Sequence, residues 1–197
     1  MNSWAYATPT LLPILSKQRK SPSPSHSRLP SFARSPWTHH GYMKAALPRL
    51  GSLVPKVLKA HAEHHGNVLR QVQTLFDALN AELSSHLMKE EQVLFPYIVA
   101  LELHFRDGTA KPPAPFGSAR NPIRQMEREH ESAGQALAKL REVTDNYTLP
   151  PDACPTFKAM YEELQRMEAD LHQHIHLENN ILFPRAIELE GRSGESG

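Results

Sequence analysis

An all-α fold, in the form of an up-down-up-down four-helix bundle, is predicted by three features of the sequence. Apolar residues recur at steps of three and four along four separate stretches. No stretch sustains an alternation of period two, and the four are parted by breaks rich in Gly, Pro and Asn. A chain of 197 residues has room for one domain with a real core and scarcely for two.

The elements follow in chain order. Residues 1–37 hold six prolines and eight serines with interspersed Lys and Arg, and no Asp or Glu occurs before Glu63. Such a segment buries too little apolar surface to offset the entropy of ordering it, so a disordered leader is expected. A transit peptide or a region upstream of the true start are the other readings of this stretch. The first helix is expected from Thr38, a suitable N-cap, to about Ala62. Gly66 and Asn67 mark the next turn, and a second helix runs to about Phe105. Arg106 to Pro122 contains four prolines and two glycines and reads as a loop. A third helix spans about Asn121 to Tyr147, broken by Leu149-Pro150-Pro151. The fourth spans about Ala153 to Glu190. The domain therefore covers 38–190, with a flexible tail at 191–197.

Composition narrows the chemistry. Lys and Arg number 22 against 21 Asp and Glu, which gives no strong field to attract nucleic acid. No apolar run approaches the ~20 residues of a membrane span. The single cysteine, Cys154, excludes a disulfide framework and any cysteine-based metal cluster. Twelve histidines are the anomaly, and histidine is the commonest metal ligand.

Tracing the inward face of each helix shows where they fall. The first gives His40, Met43, Leu47, Leu50, Val54, Val57 and His61. The second gives Val68, Val72, Leu75, Leu79, Leu83, His86, Glu90, Val93 and Tyr97. The third gives Ile123, Met126, His130, Ala133, Leu137, Leu140 and Thr144, and the fourth Met160, Leu164, Met167, Leu171, His174, Glu178, Ile181 and Arg185. At 1.5 Å per residue, His40, His86, His130 and His174 stand roughly 25–33 Å above the lower turns, in one layer. Glu90 and Glu178 each follow a histidine by four residues, on the same helix face. Two buried carboxylates need compensating charge, and a metal centre supplies it.

An internal repeat supports this layer. Residues 81–96, AELSSHLMKEEQVLFP, align without gaps to residues 169–184, ADLHQHIHLENNILFP. The halves read as two helix pairs related by a pseudo-twofold axis, each bringing one lone His and one His-x-x-x-Glu. Two equivalent halves make two equivalent metal positions, with the glutamates available as bridges. Four imidazoles and two carboxylates without a thiolate suit iron or manganese, and zinc is a poorer match because it usually settles for four ligands.

HLMKEEQVLFP, EREHESAG and HIHLENNILFPRA resemble the signatures of the di-iron iron–sulfur cluster repair family, called repair of iron centres, within the wider hemerythrin-like group. The resemblance covers about residues 39–190. It implies two non-haem irons in a carboxylate- and oxo-bridged centre, with His40, His86, Glu90, His130, His174 and Glu178 as ligands. It also implies repair of clusters damaged by nitric oxide or oxidants, with damaged iron–sulfur proteins as partners, in the cytoplasm. Members of that family begin with a small domain bearing a cysteine pair, whereas the segment here is cysteine-free.

The leading functional reading is a repair or iron-donor protein rather than a turnover enzyme. Nitric oxide or dioxygen would be its small ligands, and a homodimer is one possible state; neither nucleic acid nor membrane is expected as a partner. The alternatives are a hemerythrin-like carrier or sensor of dioxygen or nitric oxide, and a di-iron enzyme that reduces nitric oxide. His61 lies roughly 31 Å along the axis from His40 and is assigned a structural role near the turn. His39, His64, His65, His104 and His172 are expected to face solvent. Pro96 and Pro184 are expected to kink their helices, Ala133 and Gly134 to leave room beside the metal, and Cys154 to be idle.

Overall fold

The computed structural model describes residues 31–192, with side chains from Thr38 onward. Every regular element among them is helical: α1 (Ser31–Lys89), α2 (Phe95–Asp107), α3 (Arg120–Val143), α4 (Pro155–Leu177) and α5 (Phe183–Arg192), with wide π turns at Glu90–Leu94 and Glu178–Leu182. Residues 1–30 of the expected leader, and 193–197 of the expected tail, lie outside the described residues. The backbone of 31–37 is already helical, so the first helix starts seven residues ahead of Thr38, and the last reaches Arg192.

α1 cannot be one straight rod. A straight helix would hold His40 and Glu90 about 75 Å apart at 1.5 Å per residue, yet their side chains meet at 3.1 Å. The chain folds back on itself, and within α1 only His61 leaves helical dihedrals, with φ −120° and ψ 17°. The sequence places this break at Gly66 and Asn67; the backbone keeps both helical and makes it at His61. Pro48 and Pro55 sit in the first arm without interrupting it. α1 packs against α3 and α4, while α2 and α5 pair beyond the wide turns.

Two chain reversals explain their neighbours. α2 stops at Gly108, whose φ of 66° suits a residue without Cβ and lets its N–H bond the His104 carbonyl. α3 ends at Val143, before the expected Tyr147, because Asp145, Asn146 and Tyr147 all take positive φ. That left-handed run is held by hydrogen bonds: Tyr147 N–H to Thr144 Oγ1 at 3.1 Å, and Tyr147 O–H to the buried Glu168 at 2.8 Å. Arg141 donates to the same carboxylate at 2.6 Å.

The wide turns are the main departure from a regular bundle. Phe95 N–H bonds the Glu90 carbonyl and Phe183 N–H bonds the Glu178 carbonyl, five residues back in each case. Proline follows both phenylalanines. It has no N–H, and its ring would strike the carbonyl four residues earlier in an α-helix, so the ladder widens just ahead of it. Pro96 and Pro184 thus act through a widened turn before them. The extra residue shifts the inward stripe by one. Val93 is 44% exposed while Leu94 is 1%, and Ile181 is 48% exposed while Leu182 is 3%. The inward positions expected for Val93 and Ile181 are corrected to Leu94 and Leu182, and Arg185 yields likewise to Ala186. The other stripes keep their expected residues, with Val68, Leu75 and His61 only half-buried.

The core is in two parts. One apolar cluster fills the α1 arms, α3 and α4 from Met43, Leu83, Leu87, Ala133 and Leu171 down to Phe157. The other joins Leu94, Phe95, Ile98, Ile123, Met126, Leu182 and Phe183. His40, His86, Glu90, His130, His174 and Glu178 lie buried between them. Burying a charged layer across the middle of a core is costly unless the charges are compensated.

Candidate metal centre

Four histidines and two glutamates reach this layer from different directions. α1 brings His40 on its first arm and His86 on its second, α3 brings His130, and α4 brings His174. Glu90 and Glu178 each open a wide turn, one helical turn past a histidine. All six site residues expected from the sequence therefore come together. One donor atom from each of His86, Glu90, His130, His174 and Glu178 lies within 4.8 Å of all the others. His40 adjoins through Glu90 at 3.1 Å and through the His174 ring, 5.3 Å between centroids.

The short contacts pair the histidines and span the pairs with carboxylates. His86 Nε2 and His130 Nε2 are 3.1 Å apart. Glu90 Oε2 stands 3.1 Å from His40 Nε2, 3.3 Å from His86 Nε2 and 3.9 Å from His174 Nε2. Glu178 Oε2 stands 3.2 Å from His130 Nε2 and 3.1 Å from His174 Nε2. Each glutamate thus faces both the His40/His174 pair and the His86/His130 pair. Atoms about 2.0–2.2 Å from a common ion are themselves about 3 Å apart, the spacing seen here.

Outer partners orient three of the rings. His40 Nδ1–H donates to Glu91 Oε1 at 2.9 Å, and Lys44 holds the other Glu91 oxygen at 2.6 Å. His86 Nδ1–H donates to Glu129 Oε2 at 2.9 Å, and Glu129 also pairs with Lys89. His130 Nδ1–H donates to Asn179 Oδ1 at 2.9 Å. With Nδ1 carrying the proton, the neutral ring turns the Nε2 lone pair inward, the tautomer a metal ligand needs. Glu91, Glu129 and Asn179 went unnoticed in the sequence; their only signal was that each adjoins a candidate ligand.

Electrostatics point to a missing positive charge. Burial works against an ionised Glu90, yet the His40 and His86 rings beside it hold its carboxyl well below the ordinary range. Glu178, buried and facing the charge of Glu90, is pushed well above it. Burial brings His130 down to about 4 and His174 down to about 3. His86 is buried too, but the carboxylates of Glu90 and Glu129 beside it raise it. The protein groups alone thus stabilise one ionised carboxylate; cations in the layer would let both ionise.

Orphaned atoms test that fit. Glu90 Oε1, both Glu178 oxygens and both His174 ring nitrogens are buried without a hydrogen-bond partner. Glu178 Oε2 is close to two imidazole nitrogens, but the approach is too oblique for hydrogen bonds. Lone pairs converging obliquely on one another are what a shared cation would organise. The residues present therefore fit a metal centre.

The sequence matches the family described as Hemerythrin HHE cation binding domain over residues 37–186. The chain belongs to the hemerythrin HHE family. It is 43% identical over 149 residues to proteins named iron–sulfur cluster repair protein YtfE from Salmonella paratyphi B, Salmonella newport and Salmonella heidelberg. The match covers 76% of this chain and 61% of each relative's length.

The remaining histidines sort by position. His61 lies at the α1 kink, about 30 Å along the first arm from His40, outside the layer. His39, expected to face solvent, is buried; it bonds Asp170 at 2.8 Å and meets the His174 ring edge-on at 6.0 Å. Steps of three and four from His40 miss it because it lies beside the stripe. His64 and His172 are exposed as expected, while His65 and His104 are half-buried. Ala133 is buried beside the layer, but a Cβ added at Gly134 would meet nothing within 4 Å, so its size is not what makes room there. Among the described residues, no helix is long and apolar enough to cross a membrane.

Proposed function

We propose that this hemerythrin HHE chain is an iron–sulfur cluster repair protein whose buried layer holds two irons. The single observation that carries the metal assignment is the convergence of four imidazole nitrogens and two carboxylates between two apolar clusters, with five of their atoms orphaned. His40 with His174 would hold one iron and His86 with His130 the other, with Glu90 and Glu178 bridging. The repair assignment rests on the resemblance of the sequence motifs and on the name carried by relatives 43% identical over 149 residues.

The architecture proposed with it is an up-down-up-down four-helix bundle of two pseudo-twofold halves. The fold-back at His61 supports the first feature. The recurrence of a wide turn at Glu90 and at Glu178, the same place in the aligned segments, supports the second. Bound iron would supply an open position for a diatomic molecule and metal for a damaged cluster.

The chain's own residues set the conditions. Glu91 and Glu129 keep the Nδ1 protons of His40 and His86, so these rings stay basic toward the layer. The two apolar clusters exclude water from it, which strengthens every charge interaction inside. Proton uptake by Glu178 would remove one bridge and loosen one iron. Damaged iron–sulfur proteins would be the clients and nitric oxide the small ligand, in a reducing cytoplasm.

The deciding experiment is reactivation of a nitric-oxide-damaged iron–sulfur enzyme by the iron-loaded chain under anaerobic conditions. Restored client activity with loss of iron from this protein is expected. A reversible dioxygen adduct without reactivation would instead identify a carrier.

A further inference from the structure

A second set of metal-binding donors converges at the other end of the molecule, at the α1 kink. His61 is the residue that leaves helical dihedrals, and His65 follows it by four. Asp152 comes from the segment just ahead of α4, 87 residues from His65 in sequence. His65 Nε2 and Asp152 Oδ1 are 2.7 Å apart. One donor atom each from His61, His65 and Asp152 all lie within 4.8 Å of one another. The buried Phe157 ring forms the floor, 5.2 Å from the His61 ring centroid and 6.0 Å from that of His65. Cys154, the N-cap of α4, lies close enough to the His61 ring for it to help lower the thiol to about 7.

We propose that His61, His65 and Asp152 form a mononuclear site for a borderline divalent transition metal such as zinc. Two imidazoles and one carboxylate select such a metal over magnesium or calcium, which favour all-oxygen sites. Three protein ligands leave a fourth position open to solvent, as in exchangeable zinc sites. Donors about 2.0–2.1 Å from a tetrahedral ion stand about 3.3 Å apart. The His65–Asp152 pair must therefore open slightly and His61 close in. Both motions are available, since His65 is half-buried and Asp152 exposed. The metal replaces the proton that His65 and Asp152 now share. It joins the α1 kink to the start of α4, two segments that also meet through the His65–Asp152 hydrogen bond and through packing on Phe157.

This site is separate from the buried layer, about 30 Å away along the first arm, and the test keeps the two apart. Iron-saturated full-length protein is titrated with Co²⁺, with bound cobalt and iron counted by metal analysis and the visible d–d bands of low-symmetry cobalt recorded. Wild type is expected to take one further equivalent with those bands while its iron stays constant, and Zn²⁺ is expected to displace that cobalt. His65→Ala and Asp152→Asn are expected to lose the extra equivalent and keep their iron. His61→Ala at the kink risks misfolding, so the exposed Asp152 carries the test. The proposal is overturned if wild type takes no extra cobalt, or if His65→Ala and Asp152→Asn bind it as wild type does.

Discussion

Replacing Leu182 by alanine should damage the protein far more than replacing its neighbour Ile181, although the stripe of threes and fours traced along the sequence runs through Ile181. In an uninterrupted α-helix from Leu171 through His174 and Glu178, position 181 continues the inward stripe. The wide turn at Glu178–Leu182 inserts one residue, so Leu182 is 3% exposed inside the outer apolar cluster and Ile181 is 48% exposed. Truncating a buried leucine costs about 2–5 kcal/mol, so about 3 kcal/mol is a fair expectation here. An exposed isoleucine costs within about 0.5 kcal/mol. For a domain of this size about 1 kcal/mol moves the melting temperature by about 2–4 °C, giving a drop of about 6–12 °C for Leu182→Ala and about 2 °C or less for Ile181→Ala. Thermal unfolding followed by circular dichroism, on protein of equal metal content, measures both. Leu94→Ala against Val93→Ala repeats the comparison at the first wide turn. Equal losses at 181 and 182, or a larger loss at 181, would refute the register shift and with it the placement of Glu178.

Four further outcomes are expected. Glu90→Ala and Glu178→Ala should lose more iron than His86→Ala or His174→Ala, because each carboxylate faces both histidine pairs; metal analysis of the four folded variants checks this ranking. His61→Ala, far from the layer, should keep its iron content if it folds, and loss of iron from a folded variant would mean that the kink feeds the centre. Glu168→Ala should destabilise by about 2–4 kcal/mol without iron loss, since it strands the buried Tyr147 hydroxyl and Arg141 at the strained turn; denaturant unfolding reads the cost. Burial lifts Glu102 to about 7, above its ordinary value of 4.5, and one of its oxygens has no hydrogen-bond partner. The folded state therefore holds this proton more tightly than the unfolded chain, a stabilisation complete below pH 4.5 and lost as pH rises through about 7. Glu102→Gln should accordingly gain about 1 kcal/mol at pH 8, after allowance for solvent screening of a partly exposed group, and nothing at pH 4; a pH series of melting temperatures tests it.

The helices and the six layer residues were legible because both are recorded in spacing. A residue on a stripe of threes and fours has its direction fixed by helix geometry, and histidine or glutamate on such a stripe is conspicuous among leucines. What spacing cannot record is a change of pitch. The wide turns at Glu90 and Glu178 left only a Phe-Pro pair as their trace, which reads equally well as a kink, so Val93 and Ile181 were placed on the wrong face. The α1 break fell at His61 rather than at Gly66 because a glycine can adopt helical dihedrals as well as break them. Contacts between residues far apart in sequence were illegible for a different reason. That Glu91 backs His40, that Glu129 backs His86, or that Asp152 meets His65 depends on how elements dock, and no single stretch encodes that.

The most direct test of the metal centre is the iron stoichiometry of full-length protein reconstituted anaerobically with ferrous iron and freed of loosely held metal. Two irons per chain are expected, because the carboxylates of Glu90 and Glu178 each face two histidine pairs. Saturation at one iron, or zinc held so tightly that iron cannot displace it, would contradict the paired centre.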